Sequence, residues 1–388
     1  MIFEVQRGSC RIFISNIGKI DLEGVTVMEK KRVLHFGYSA NLGGVETFIK
    51  NIIMNIDVPS DIVVTTQDKV PFEDEFKAKG SRILRISPRR SNPLEFRKNV
   101  FKLIKEHPEY AIVHVHLNSC SSIEPLEAAK KCKRFCIAHS HNSSSNFGSI
   151  SGMLHKFNKK RINKFADVCL ACSEPAGKFI FGDSDYKIVN NGIDTHRFAY
   201  SDVKRKKIRQ EFSIEDRFTV CHVGMFAPVK NHTFLIDCFN EVLKKRPDSV
   251  LILVGEGAQK DFVEKKVEEL GIADKVIFTG RRYDTEAIMS ASDVFVLPSL
   301  FEGLPIVLVE AQSEGLPCIV SDVVTKEAKL CNEMQFLSLN ESAEEWANKI
   351  LSADKVPDRN TASKVVADSG FDMMQTARRM EEIYMENL

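Results

Sequence analysis

From Arg32 onward, short β-branched and apolar runs alternate with longer stretches whose apolar positions recur at helical spacing. The runs Arg32–Phe36, Asp61–Thr65, Arg82–Ile86, Tyr110–His116, Arg134–Ala138, Asp167–Ala171 and Tyr186–Val189 predict one set of buried strands. A second set follows at Arg217–Val223, Val250–Val254, Lys275–Thr279, Asp293–Leu297 and Pro317–Val320. Continuous apolar runs separated by helical segments are the mark of parallel sheets with crossover helices, so the chain is predicted to be α/β and doubly wound. The turn Asn190–Asp194 and the charged segment Ser201–Arg217 divide the two sets. This gives an N-terminal domain over 31–197, a C-terminal domain over 198–370 and a closing helical segment over 371–388. Residues 1–30 do not fit the pattern and are read as an extension, either an added strand or a misplaced start. At 388 residues two cores are expected.

The densest local signal is the stretch from Pro298 to Pro317. Pro305 suits a first helical turn and Gly315 a C-terminal stop, so Glu302, Gly303 and Leu304 fall in the loop at the carboxyl end of a strand. Open α/β sheets bind ligands at that end, and free N–H groups there favour anions and hydroxyl oxygens. Glu302 and Glu310 are placed so that both can reach one ligand across the helix start, although taken alone the pair also suits glutamates that merely face solvent. Other strand exits carry glycine: Gly224 with Lys230 at the mouth of the next helix, Gly255, and Gly280 followed by Arg281. Each is either an ordinary turn or a backbone cradle, and Lys230 is positioned to neutralise a diphosphate. After the first strand, Gly37–Glu46 forms a glycine loop whose Gly43 and Gly44 let backbone N–H groups approach an oxyanion, but its spacing is not the G-x-G-x-x-G dinucleotide fingerprint.

Composition adds three constraints. Residues 1–200 hold 30 Lys+Arg against 21 Asp+Glu, a net +9, while the remainder is −8, so an anionic partner is expected at the N-terminal half and nothing points to nucleic acid. No apolar run reaches the ~18 residues of a spanning helix, and the start lacks signal-peptide character, which places the chain in the cytoplasm. The ten cysteines show no disulfide or zinc spacing. Met153–Phe165 mixes apolar residues at helical spacing with five basic ones; it is read as a helix with its apolar face in the core, or as one lying on an anionic membrane surface. His114 and His116, then His139 and His141, end two strands; without accompanying carboxylates they are read as hydrogen-bonded side chains and no metal is assigned. Asp183-Ser-Asp185 is read as a surface turn.

Phe301-Glu-Gly-Leu-Pro-Ile-Val-Leu-Val-Glu-Ala311 resembles the Glu, seven residues, Glu signature of the family-4 retaining glycosyltransferases, and the resemblance runs from about Lys31 to the C-terminus. Ile137-Ala-His-Ser-His-Asn142 and His222–His232 are most similar to the capsular and exopolysaccharide transferases. The resemblance implies a GT-B fold of two facing Rossmann-like domains and no cofactor beyond a nucleotide diphosphate sugar, expected to be a UDP-sugar. It implies that Glu302 meets donor-sugar hydroxyls, Glu310 the nucleotide ribose, and Gly43, Gly44, Gly224, Gly255, Gly280, Arg281, Gly303 and Leu304 the donor's surroundings. It further implies that Lys230 holds the diphosphate and that His139, with His141 as runner-up, acts on the transfer step. The implied reaction is metal-independent, retaining transfer of a hexose to a lipid-linked saccharide acceptor in surface polysaccharide assembly. Where the family pattern has Arg after the glycine, this chain has Met225, so a non-catalytic GT-B partner subunit stands as an alternative, beside a sugar-nucleotide epimerase.

Overall fold

The computed structural model describes residues 30–144, 148–353 and 358–388, so the expected extension lies, Lys30 apart, outside the described residues. Strands β1 (Arg32–Phe36), β2 (Ser60–Val64), β3 (Ile83–Arg85), β4 (Tyr110–Leu117), β5 (Phe135–Ser140), β6 (Val168–Ala171) and β7 (Lys187–Ile188) form one parallel sheet in the order β3-β2-β1-β4-β5-β6-β7. Strands β8 (Thr219–Val223), β9 (Val250–Val254), β10 (Val276–Gly280), β11 (Val294–Leu297), β12 (Cys318–Ser321) and β13 (Met334–Leu337) form a second, ordered β10-β9-β8-β11-β12-β13. Both sheets are doubly wound. Helices cover both faces of each, which is why all five residues of β9 are buried and its sequence is uniformly apolar rather than alternating.

The predicted strands form with their ends shifted. β13 and the helix Ala343–Ser352 are additional; the helix carries a legible start signal, the reciprocal capping pair Ser342 and Glu345. The charged segment at the start of the expected second domain forms a helix, Asp202–Glu211. Its Arg205 and Arg209 reach Asp293 at 2.6 and 2.7 Å and donate to the carbonyls that end the helix Thr285–Ala291. The charges are there to satisfy a helix C-terminus, a role that sequence composition does not separate from a solvated linker.

Two chain crossings join the domains side by side. Ile193 N–H donates to Phe371 O and Met373 N–H to Ile193 O, both at 2.8 Å, and the turn into the last helix uses Gly370 at φ 84°. That helix, Met373–Met385, returns to the first domain and packs on the helix Gly44–Asn55, burying Ala377, Met380 and Tyr384. The basic segment after residue 148 forms the helix Ser149–Lys159 and a tight turn at Ile162–Lys164. Its apolar residues divide: Ile162 is fully buried in the core cluster with Phe165 packed against it, as the first of the two readings expected, whereas those of the helix itself stay outside. The buried face is His155 and Asn158, whose side chains hold the Cys120 N–H and carbonyl, while Ile150, Met153 and Phe157 are 71, 67 and 60% exposed.

Candidate active site

In each sheet the strand order reverses direction between two neighbours, β1 and β4 in the first and β8 and β11 in the second, and crevices at such points are where α/β sheets place ligands. The second crevice is built from backbone. Gly224 follows β8, and its carbonyl would sit 2.1 Å from a Cβ on Gly255, which adopts φ +145° after β9. Only a glycine at 255 lets the two turns close. The same holds one exit further, where a Cβ on Gly257 would meet Phe226 O at 2.5 Å. Gly255 N–H donates to Gly280 O at 3.0 Å, tying in the third exit.

Across this floor lies Lys230. Its side-chain carbons come within 3.6 Å of a Cβ built on Gly224, and its Nζ pairs with Glu302 Oε1 at 2.6 Å. The partner loop is pinned by Leu300 N–H donating to Val229 O at 2.8 Å and by Asn231 Nδ2 donating to Pro298 O at 3.2 Å. Pro305 precedes the helix Ile306–Ser313, and Gly315 at φ +62° stops it. Glu310 is inside that helix and half-buried. Burial pushes its carboxyl up to about 8, nearby Arg197 pulls it down and Glu286 raises it further, so at neutral pH the fold favours the protonated form. Arg197 is itself paired with Glu286 at 2.8 Å.

From the first domain, Gly43 and Gly44 are exposed at the start of the helix Gly44–Asn55, whose first N–H groups have no side-chain cap. Glu46 folds back onto Ser39 N–H at 3.0 Å, which shapes the loop. Ser143, just after β5, would lie 3.4 Å from a Cβ on Gly303, so the two halves of the site meet at these residues.

His139 does not reach the cleft as expected. Its ring is fully buried, edge-on to Phe48, and the half-buried His141 lies two residues further along, toward the carboxyl end. The cause is register: β5 residues alternate and continue past the sheet edge, so the later histidine is the outer one. Leu304 packs against the core cluster beneath the crevice, leaving its backbone as the part available to a ligand. Arg281 is exposed, whereas its neighbour Arg282 is tied to Glu211 and Asp284 at 2.8 Å each. Met225, standing where the resemblance has Arg, is 63% exposed. Arg197, Ser143 and His35 were not singled out from sequence; Arg197 and Ser143 carry no local signal beyond an ordinary turn.

Two parallel-sheet Rossmann-like domains, with glycine-built strand exits and a Lys–Glu pair at the switch point, define the class of two-domain GT-B glycosyltransferases. The chain matches the family model for glycosyl transferases group 1 over residues 203–364 and that for glycosyltransferase family 4 over residues 42–197. It is 32% identical over 370 residues to the putative glycosyltransferase EpsF of Bacillus subtilis, covering 92% of this chain and 96% of that one. It is 29% identical over 310 residues to an Escherichia coli UDP-Gal:α-D-GlcNAc-diphosphoundecaprenol α-1,3-galactosyltransferase, covering 74 and 78%. Among solved structures, Anabaena HepE in complex with UDP superposes with a TM-score of 0.75 at 20% identity, covering 92% of this chain and all of that one. The chain belongs to the family-4 glycosyltransferases.

Proposed function

We propose that the protein transfers a hexose, with retention of anomeric configuration, from a UDP-sugar to a lipid-linked saccharide in the assembly of a surface polysaccharide. The observation that carries this is the Lys230–Glu302 pair over the Gly224–Gly255 backbone, a cation and a hydroxyl acceptor side by side at the switch point. The relatives add support: one is named for a UDP-galactose donor and a diphosphoundecaprenol acceptor, and HepE holds UDP. Lys230 and the turn N–H groups neutralise the leaving diphosphate, with no resident metal in the step. Glu302 orients the sugar hydroxyls and Glu310 the ribose. The bond from the anomeric carbon to the diphosphate oxygen breaks as the acceptor hydroxyl attacks from the same face, and the hydroxyl proton passes to the leaving oxygen. His141, half-buried just beyond β5, is the acceptor-side group rather than the fully buried His139.

The lipid-linked acceptor brings the protein to the cytoplasmic face of a membrane. No helix among the described residues is long and apolar enough to cross one. The exposed stripe Ile150, Met153 and Phe157 beside Lys156, Lys160 and Lys164 supports surface attachment to anionic lipid. The test is a nucleotide-sugar screen by thermal shift, followed by nucleotide release with a polyprenyl diphosphate saccharide. Release of UDP with a transferred sugar supports the reading. An isomerised donor without transfer, or activity only with a partner protein, replaces it with the epimerase or subunit alternative.

A further inference from the structure

Outside the donor crevice the first domain holds five histidines on one face of its sheet. β1 contributes His35, β4 His114 and His116, and β5 with its exit His139 and His141. Strand register aligns them, with His35 opposite His114 and His116 opposite His139. The spacing within each strand is two, so the rings share a face, beneath Phe48 and Tyr384. Five polar rings are an unusual load for a core layer.

Their hydrogen bonds do not close. His35 Nδ1 faces His116 Nε2 at 3.0 Å, His116 Nδ1 faces His141 Nε2 at 2.9 Å, and His114 Nε2 faces His139 Nδ1 at 3.2 Å, while His114 Nδ1 meets Tyr384 Oη at 2.6 Å. A neutral imidazole offers one donor and one acceptor. After these contacts, His35 Nε2, His139 Nε2 and His141 Nδ1 remain buried without a hydrogen-bond partner in the structure. Two groups of three bring one ring nitrogen each within 4.8 Å of the others: His35, His114 and His116, and His116, His139 and His141. Two nitrogens bound at ~2.0–2.1 Å to one tetrahedral ion lie about 3.3 Å apart; in the second group His116 Nδ1 and His141 Nε2 are 2.9 Å apart and one nitrogen from each of the three residues lies within 4.8 Å of the others.

We propose that His116, His139 and His141 form a three-imidazole site for a borderline divalent transition-metal ion of the zinc type. The outer group is chosen because His141 is half-buried and gives an ion a way in, whereas all three members of the inner group are buried and Tyr384 closes it at His114. The inner histidines then act as orienting partners. His114 holds His139 Nδ1, freeing Nε2, and His35 holds His116 Nε2, freeing Nδ1, the arrangement that metal-bound imidazoles adopt. Neither group includes a carboxylate or thiolate, so the site excludes magnesium and calcium, which need oxygen donors. Bound there, the ion shares His141 with the cleft.

The experiment is equilibrium dialysis of the full chain, stripped with chelator and free of any tag, against zinc or cobalt(II), with metal content and visible absorption as readouts. One ion per chain is expected, with cobalt d–d bands and no uptake of magnesium. His141→Ala and His139→Asn should each weaken zinc binding by at least about tenfold, and His35→Ala by roughly ten- to a hundredfold through loss of orientation. His107→Ala, in the turn before β4 and paired with Glu109, should change nothing. Because His139 is in the core, His141→Ala is the deciding variant, its fold checked by unfolding without metal. Substoichiometric binding at micromolar zinc, or stoichiometric binding unchanged in His141→Ala, overturns the proposal and leaves the array a hydrogen-bonded stack.

Discussion

Replacing Lys230 with alanine tests the core of the functional reading, and the structure makes the expected loss larger than one missing contact. A charge-assisted interaction with the diphosphate contributes ~1.5–3 kcal/mol, roughly tenfold to over a hundredfold in UDP affinity. In addition, the carboxylate of Glu302, paired with Lys230 at 2.6 Å, loses its counterion and faces the incoming anion. Two like charges 4 Å apart at an effective dielectric of ~20 repel by about 4 kcal/mol, an upper bound for a site that keeps some water. Calorimetric titration of UDP should therefore show Lys230→Ala weakened by at least tenfold. The double variant Lys230→Ala/Glu302→Gln should bind UDP better than Lys230→Ala alone, since it removes the stranded charge, even though Glu302→Gln by itself impairs turnover. Met225→Arg should tighten UDP, because the exposed Met225 side chain leaves room for a forked cation beside the same group. UDP affinity within twofold of the parent in Lys230→Ala, with nothing gained from Glu302→Gln, would refute the assignment. A parent that releases no nucleotide while Met225→Arg does would mark the natural chain as a non-catalytic subunit.

Further outcomes follow from single features. Glu310 keeps its proton in the fold up to about pH 8 but loses it near 4.5 when unfolded, so its protonated state stabilises fully below 4.5 and the contribution is lost as pH rises through 8. Glu310→Gln should thus raise the melting temperature relative to the parent at pH 8 and not at pH 4.5; an equal offset at both values would show the carboxyl to be ordinary. Gly255→Ala combines a backbone at φ +145° with a Cβ 2.1 Å from Gly224 O, and should lower the melting temperature and abolish UDP binding together; near-parental unfolding would mean the turns close differently. Binding to anionic vesicles in sedimentation should fall as salt shortens the Debye length to ~10 Å at 0.1 M, and fall further in Met153→Ser/Phe157→Ser; salt-independent binding, or none at low salt, removes the surface-helix reading.

Sequence by itself determined what is local or periodic. Apolar runs broken by glycine gave the two parallel sheets, because both faces of such strands are covered and the code for that is in each strand separately. Pro305 and Gly315 bounded the helix carrying Glu310, and Gly224, Gly255 and Gly280 marked the strand exits, since a positive φ or a close backbone approach is a property of one position. What depended on partners distant in the chain was decided only by tertiary structure. The role of the Arg205 and Arg209 charges is not legible in their own segment, because the Ala291 carbonyl and the Asp293 carboxylate they satisfy lie more than eighty residues away. Met153–Phe165 suited either a core face or a membrane-surface face, because helical spacing gives apolar positions without saying what covers them; the fold buries Ile162 and leaves Met153 and Phe157 exposed. The Lys230–Glu302 pair spans 72 residues, and the histidine array needs the register of three strands, which follows from how side chains pack across a whole sheet and from no single segment. The same register buried His139 and left His141 at the cleft, a difference of two residues that the sheet edge alone decides.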